Sequence, residues 1–337
     1  MREALTLQLL EQAQVTYGCK TAPTLRGSRR IDCPYSEISR IEIDCDGLTK
    51  TLYLKRVKTD GIGEGEARNR VLLEYRVLAQ LFEHFRTHPT YGIARPVAVF
   101  PEEHALATEE VPGVQLMDMI GRSAKRYMFG RRQPVLEKYC ALAGAWLQEF
   151  QSFTTQGTAD FNIEGLMHYC SERLDTLIAS GANGIDAAFK FRFTAYLEKT
   201  YGEIKNRANA VVGRHNDFSP HNIIVNGDHI SVIDFGFFDH DSHLYDVCKF
   251  WFQLECMKSS PLFHASAIHR LQTSFLEGYG GLVDPRDPAF EMVASRYFVT
   301  RLVTMVTEGM RHGLRGWIDR KSYRWCLRWL TERCGKG

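Results

Sequence analysis

One stretch, residues 214–246, limits what this chain can fold into more than any other. It reads Arg-His-Asn-Asp-Phe-Ser-Pro-His-Asn, an apolar run, Asn-Gly-Asp, a second apolar run, and then Asp-Phe-Gly. Asp217 precedes Asn222 by five positions, and Asn222 precedes Asp234 by twelve. Asn-Gly adopts the positive backbone angles of tight turns, so 223–225 and 229–233 are expected to pair as a hairpin. With 226–228 as the loop, Val225 faces His229 and Asn222 faces Val232. Asp234 is then a diagonal neighbour of Asn222 on one sheet face, about 7–8 Å away at the backbone. An amide oxygen and a carboxylate aimed at one point are hard oxygen ligands and suit Mg²⁺, which fills its remaining positions with water and phosphate. Asp217 falls on the loop before the first strand, within reach of a hydroxyl.

The 337 residues are enough for two lobes with cores of their own. A formal charge of +2 predicts no bulk attraction to nucleic acid. The nine cysteines contain no Cys-x-x-Cys pair, which argues against a zinc site or a disulfide scaffold and fits a reducing, cytoplasmic setting. The N-terminus lacks the apolar core of a signal peptide, and no stretch is long and apolar enough for a membrane span.

Before the 214–246 stretch, apolar spacing predicts a short helix over 3–15 and a hairpin of strands at 38–43 and 51–57. The polar segment 27–36 reads as a loop, not of the glycine-rich phosphate-binding type. Lys55, set between apolar residues, lies either on the solvent face or buried against a charged partner. A helix over 71–85 carries an apolar stripe with Glu74 at its edge, while Glu64 and Glu66 compete for any pairing role. Strands follow at 96–100 and 106–111, and Pro112-Gly113 marks the boundary between a lobe of 1–111 and one of 112–337. Beyond it the chain reads as helical at 135–153, 166–178, 187–201, 244–257 and 265–279. The segment 290–334 interleaves apolar and basic residues. From Arg296 onward ten residues are basic (Arg296, Arg301, Arg311, Arg315, Arg320, Lys321, Arg324, Arg328, Arg333, Lys336) and three acidic (Glu308, Asp319, Glu332). Such a bias is either a solvated helix face or a surface for an anionic substrate or a membrane.

His215-x-Asp217, Asn222 and Asp234-Phe-Gly, with a strand Lys and a helix Glu upstream, together resemble the protein-kinase-like fold. Within it the chain resembles the aminoglycoside phosphotransferase and choline kinase branch. Pro220 before Asn222, the Leu244-Tyr245-Asp246 after Asp-Phe-Gly, and the hinge-like Leu-Ala-Thr-Glu-Glu-Val-Pro-Gly ending at Gly113 carry that resemblance. It implies an α+β, two-lobed fold: an N-lobe of antiparallel sheet plus helix that binds nucleotide, and a mainly helical C-lobe with a catalytic hairpin. It further implies Asp217 as catalytic base, braced by His215 and Asp246, and Asn222 and Asp234 as Mg²⁺ ligands. Lys55, positioned by Glu74, would contact the ATP phosphates, and Ser36 a further phosphate. The backbone of Glu109 and Val111 would bind adenine, with Thr108 behind it. The chain departs from the family at four positions: Asn216 and His221 stand where it usually has Gly, and Ser242-His243 where it often has Asp-Pro, for which Asp241 is a substitute.

The expected function is ATP- and Mg²⁺-dependent phosphoryl transfer to a hydroxyl of a small molecule or glycan. The alternative is an inactive pseudokinase serving as a nucleotide- or partner-binding module. A protein kinase is disfavoured, because no Ala-Pro-Glu follows Asp-Phe-Gly. Expected partners are the hydroxyl acceptor and a membrane surface met peripherally by the basic C-terminal segment, with no nucleic acid.

Overall fold

The computed structural model describes residues 3–33, 36–124, 133–310 and 313–335. Pro34 of the polar segment, and Arg311 and Lys336 of the basic series, lie outside the described residues. In chain order come α1 (Glu3–Tyr17), β1 (Thr24–Asp32), β2 (Ser36–Cys45), β3 (Leu48–Val57), α2 (Glu64–Phe85), β4 (Tyr91–Ile93), β5 (Pro96–Phe100), β6 (Ala105–Glu109) and β7 (Val114–Gln115). Next are α3 (Leu116–Ser123), α4 (Gln133–Phe153), β8 (Gly157–Ala159), α5 (Ile163–Ala179), α6 (Ala187–Ile204), β9 (Asn209–Arg214), β10 (Ile223–Asn226) and β11 (His229–Val232). The chain continues with β12 (Asp239–Ser242), α7 (Leu244–Lys258), α8 (Ala265–Gly278), α9 (Pro288–Thr307) and α10 (Gly313–Cys334). Two compact units result, Met1–Gln115 with Asn222–Phe238, and Leu116–His221 with Asp239–Gly337.

The first unit is built on an antiparallel sheet of order β1-β2-β3-β6-β5. Leu5, Leu9 and Ala13 of α1 pack with Ile41, Ile43, Leu52 and Leu54, so one sheet face is sealed by α1. Side chains alternate along a strand, which sends Tyr53 and Lys55 to the opposite face. There Lys55 meets Glu74 of α2. The β2–β3 hairpin closes on Asp46 and Gly47, with φ of 51° and 84°. The segment expected as a loop at 27–36 is strand from Thr24 to Asp32, with Ser36 opening β2. Its sequence hid this because β1 is an edge strand with almost no buried side chain. Cross-strand ion pairs, Arg26 with Asp44 and Arg30 with Glu37, take the place of an apolar face.

A second sheet in the same unit, of order β4-β11-β10-β7, carries the expected hairpin. Its register differs by one position: Asn226 pairs with His229 and Ile223 with Val232. The loop is only Gly227-Asp228, with Gly227 at φ 58°, because a two-residue turn needs its positive angle at the first position and glycine supplies it freely. Asn222 therefore faces Ile233, whose N–H donates to the Asn222 carbonyl at 3.0 Å.

In the second unit α4 is the central helix. Leu136, Tyr139, Cys140, Ala143, Trp146, Leu147 and Phe150 are buried along it. It packs against α8 closely enough that two glycines are required where the backbones meet. A Cβ on Gly144 would lie 2.0 Å from the Phe275 carbonyl, and one on Gly278 2.0 Å from the Ala141 carbonyl. The three-stranded sheet β12-β9-β8, absent from the sequence reading, holds the end of β9 in place. The apolar and basic segment at 290–334 is two helices, α9 and α10, parted where Gly309 and Gly313 take φ of 76° and 65°.

Candidate active site

Three charged groups converge in the first unit. The Lys55 ammonium donates to Glu74 Oε1 at 3.1 Å, to Glu74 Oε2 at 3.2 Å and to Asp234 Oδ1 at 2.5 Å. Glu74 is 3% exposed, so the edge of the α2 stripe faces inward at that turn; Glu66 is occupied by Arg70. Burial alone would lower the Lys55 ammonium, but Glu74 and Asp234 outweigh it and hold it above the ordinary lysine range. The lysine is thus a fixed cation.

Asp234 does not reach this position as a strand residue. Its φ of 69° takes it out of the β11 alternation. Irregular backbone, and not the diagonal pairing expected from the hairpin, directs its carboxylate. Gly236 completes the cradle: a Cβ there would lie 2.9 Å from the Lys55 ammonium and 3.2 Å from Glu74 Oε2. Phe235 between them is 1% exposed and anchors the turn.

The remaining expected nucleotide residues stand along the same sheet. Thr108 pairs with Tyr53, and Glu109 ends β6. The Glu110 N–H donates to the Thr51 carbonyl, so the backbone groups of Glu109 point away from β3. The Glu109 N–H donates to the Arg95 carbonyl at 2.8 Å, and its carboxylate meets Lys50 at 3.2 Å. Val111 lies just beyond the strand. Ser36 is buried and pairs with Val57, two positions along β3 from Lys55.

The second unit builds the loop that carries Asp217. Arg214, at the end of β9, is clamped to Asp239 of β12 by bonds of 2.7 and 2.6 Å. Fully buried Asp246 on α7 then accepts the N–H groups of His215 at 2.6 Å and of Asn216 at 3.0 Å. Burial pushes the Asp246 carboxyl above the ordinary aspartate range, against the lowering effect of His215 and of these two donated bonds. The Asp217 N–H donates to His215 Nδ1 at 3.3 Å. On its other side Phe218 is fully buried, stacked on Trp146 at 5.7 Å and packed on Phe250 at 5.7 Å. Asp217 is therefore held between two buried anchors while its carboxylate is 44% exposed.

Asn216 has φ 64°. That left-handed angle explains why Asn can stand where the family has Gly, since Asn is the side chain that tolerates it best. Partial desolvation on its loop, with Lys249, holds the His221 imidazole below the ordinary histidine range against the raising effect of Asp217 and Asp118. Asp241 lies 3.6 Å from Arg214 Nη1 and accepts the Ser242 N–H.

Lys249 escaped the sequence reading. Its ammonium lies 3.1 Å from Asp217 Oδ1 and over the Tyr297 ring at 5.6 Å. A signal existed. Lys249 follows Asp246 by three positions on a helix, which puts both on one side of α7.

Among the described residues no group of three or more His, Cys, Asp or Glu could hold a metal by itself. A metal held by Asn222 and Asp234, one amide oxygen and one carboxylate at the base of one hairpin, would complete its shell with water and phosphate. That donor set fits Mg²⁺.

No curated protein matches the sequence. Solved structures do match the fold. A thermostable mutant of aminoglycoside phosphotransferase APH(4)-Ia, in ternary complex with AMP-PNP and hygromycin B, aligns with TM-score 0.57 at 12% identity, over 96% of this chain and 97% of that one. The streptomycin–ATP–APH(2")-IIa ternary complex aligns with TM-score 0.53 at 13% identity, over 97% and 96%. A GDP complex of a mutant aminoglycoside 2'-phosphotransferase-IIIa aligns with TM-score 0.56 at 12% identity, over 98% and 97%. These neighbours share the kinase-like architecture of an antiparallel N-terminal sheet and a helical C-terminal part. The phosphotransferase enzyme family matches residues 57–282, two thirds of the chain, and to that family of kinase-type phosphotransferases this protein belongs.

Proposed function

We propose that this protein transfers the γ-phosphoryl group of ATP, with Mg²⁺, to a hydroxyl of a small molecule or sugar. The observation that carries the proposal is the Lys55–Glu74–Asp234 cluster, a fixed cation paired with two carboxylates. Phosphoryl transfer requires positioning and neutralisation of charge more than covalent help from the protein. In this reading Glu74 holds Lys55 so that its ammonium contacts phosphate oxygens, and Asn222 and Asp234 hold Mg²⁺. Bound Mg²⁺ would neutralise charge on the phosphates. The backbone of Glu109 and Val111 receives adenine, with Thr108 behind it, and Ser36 stands near a phosphate. Asp217 orients the acceptor hydroxyl and takes its proton, while His215 and Asp246 keep its loop in shape.

Lys249, a cation 3.1 Å from the proposed base, favours an acceptor that is neutral or anionic near its reacting hydroxyl. The nine cysteines, all free thiols, support a cytoplasmic setting. No described helix is long and apolar enough to cross a membrane.

The test is ADP release over a panel of sugars and polyols, with ATP binding followed by calorimetry. At least one acceptor is expected to stimulate release. Asp217→Ala should lose that stimulation by about a hundredfold or more while binding ATP nearly as before. An Asp217→Ala variant with wild-type turnover would overturn the assignment of the base.

A further inference from the structure

The outer face of α10 is not used by the proposed chemistry. The helix is sorted into two sides. Asp319, Ser322, Tyr323, Cys326, Trp329 and Leu330 are buried, at spacings of three and four that place them on one side. On the other side Trp317, Arg320, Lys321, Arg324 and Arg328 are all exposed. At 100° per residue these five fall within an arc of about 100° and extend over about 16 Å. Trp317 is 46% exposed at one end, with the Lys321 ammonium 5.5 Å from its ring.

Soluble surfaces mix both signs of charge so that cations find partners. Here, among the described residues, none of the four stripe cations forms an ion pair, and the nearest exposed acid along the stripe is Glu332 at its far edge. Arg333, one position further on, shows the contrast: it turns inward to Glu291 and onto the Trp329 ring. The chain as a whole carries only +2, so this is a local concentration of charge and not a general excess. The neighbouring α6 brings another cation close to the end of α10, where Arg192 acts electrostatically on Cys334.

We propose that this face of α10 docks on an anionic lipid bilayer, with the Arg and Lys side chains among acidic headgroups and Trp317 at the interface. Long basic side chains keep their charge among headgroups while their stems lie on apolar material, and indole prefers that same layer. A single exposed indole at one end of the stripe favours a bilayer over a single-stranded nucleic acid, which would need successive aromatic side chains along the cations to stack its bases. The attraction is electrostatic and reversible, with each basic residue contributing roughly a fivefold gain in partition. It would hold the enzyme at a surface without any spanning segment, and it stands whether or not the phosphotransfer reading does.

The test uses the full chain with vesicles of phosphatidylcholine alone and of phosphatidylcholine mixed with phosphatidylglycerol. Co-sedimentation is expected only with the mixed vesicles, and high salt should reverse it. Tryptophan emission should shift to the blue on binding, and Trp317→Phe should abolish most of that shift. The double variant Arg320→Glu, Arg324→Glu should bind about a hundredfold more weakly or worse. Because both side chains are exposed, its melting temperature should match wild type. Equal partition into both kinds of vesicle, partition into neither, a double variant that still binds like wild type, or binding to duplex RNA in preference to the mixed vesicles would each overturn the proposal.

Discussion

The Lys249 ammonium of α7 lies 3.1 Å from Oδ1 of Asp217. The contact joins the loop that carries the proposed base to the helix whose Asp246 braces that loop. A side chain held in this way has fewer rotamers to lose when an acceptor binds. Lys249→Met should lower acceptor-stimulated ADP release by about tenfold or more, and Lys249→Arg should restore most of it. Affinity for ATP should be unchanged in both variants, as calorimetry can show. A Met variant with full turnover would remove Lys249 from the account.

Glu74 and Lys55 form the second pair whose loss has a defined cost. Removing Glu74 leaves a partly buried ammonium with Asp234 as its main counter-charge. Glu74→Ala should destabilise the protein by about 1–3 kcal/mol in denaturant unfolding. It should also weaken ATP binding, because Lys55 is no longer held toward the phosphates. Unchanged stability and unchanged affinity together would mean that Glu74 is not the group that positions Lys55.

The left-handed backbone at Asn216 predicts an asymmetric response. Asn216→Gly should keep activity, since glycine adopts φ near 64° without strain. Asn216→Val should cost about 1–2 kcal/mol and impair turnover, because a β-branched residue resists that region. Equal tolerance of both changes, read by melting temperature and ADP release, would show that the loop has another conformation in solution.

Stability should depend on pH through His243. Burial pushes its imidazole below the ordinary histidine range, and its Nδ1 is buried without a hydrogen-bond partner. A depressed histidine favours the folded state while it is neutral. That contribution is complete above the unfolded value near 6.5 and is lost as pH falls below it toward the folded value. The melting temperature should therefore drop between pH 7.5 and 5.5, and the drop should be shallower in His243→Gln. A flat profile over that range would contradict the burial argument.

The sequence made some parts of this molecule legible and concealed others for physical reasons. Helices such as α4 and α7 were readable because they bury apolar residues on long, regular spacings. Asp217, Asn222 and Asp234 stand out in the sequence because their order and spacing are specific, and their roles belong to the proposal. The strand β1 was not, because an edge strand stabilised by ion pairs has no apolar alternation. The hairpin was found, but one position out of register: Asn226 sits equally well in a strand or a turn, and only the pairing with His229 decides. Lys55 could not be placed from sequence, because a strand lysine is buried only if a partner waits on the facing helix. Lys249 carries only an indirect signal, its spacing of three from Asp246 on α7, because its partner Asp217 is thirty-two positions earlier in the chain.

The account stands most directly on whether Asp234 makes nucleotide binding depend on the metal. Calorimetry of AMP-PNP binding, with Mg²⁺ and with a chelator, should be run on wild type and on Asp234→Asn. The account predicts a Mg²⁺-dependent gain in wild-type affinity, of about tenfold or more, that is lost in the variant. Wild-type binding indifferent to Mg²⁺, or an Asp234→Asn variant that keeps the full gain, would contradict it.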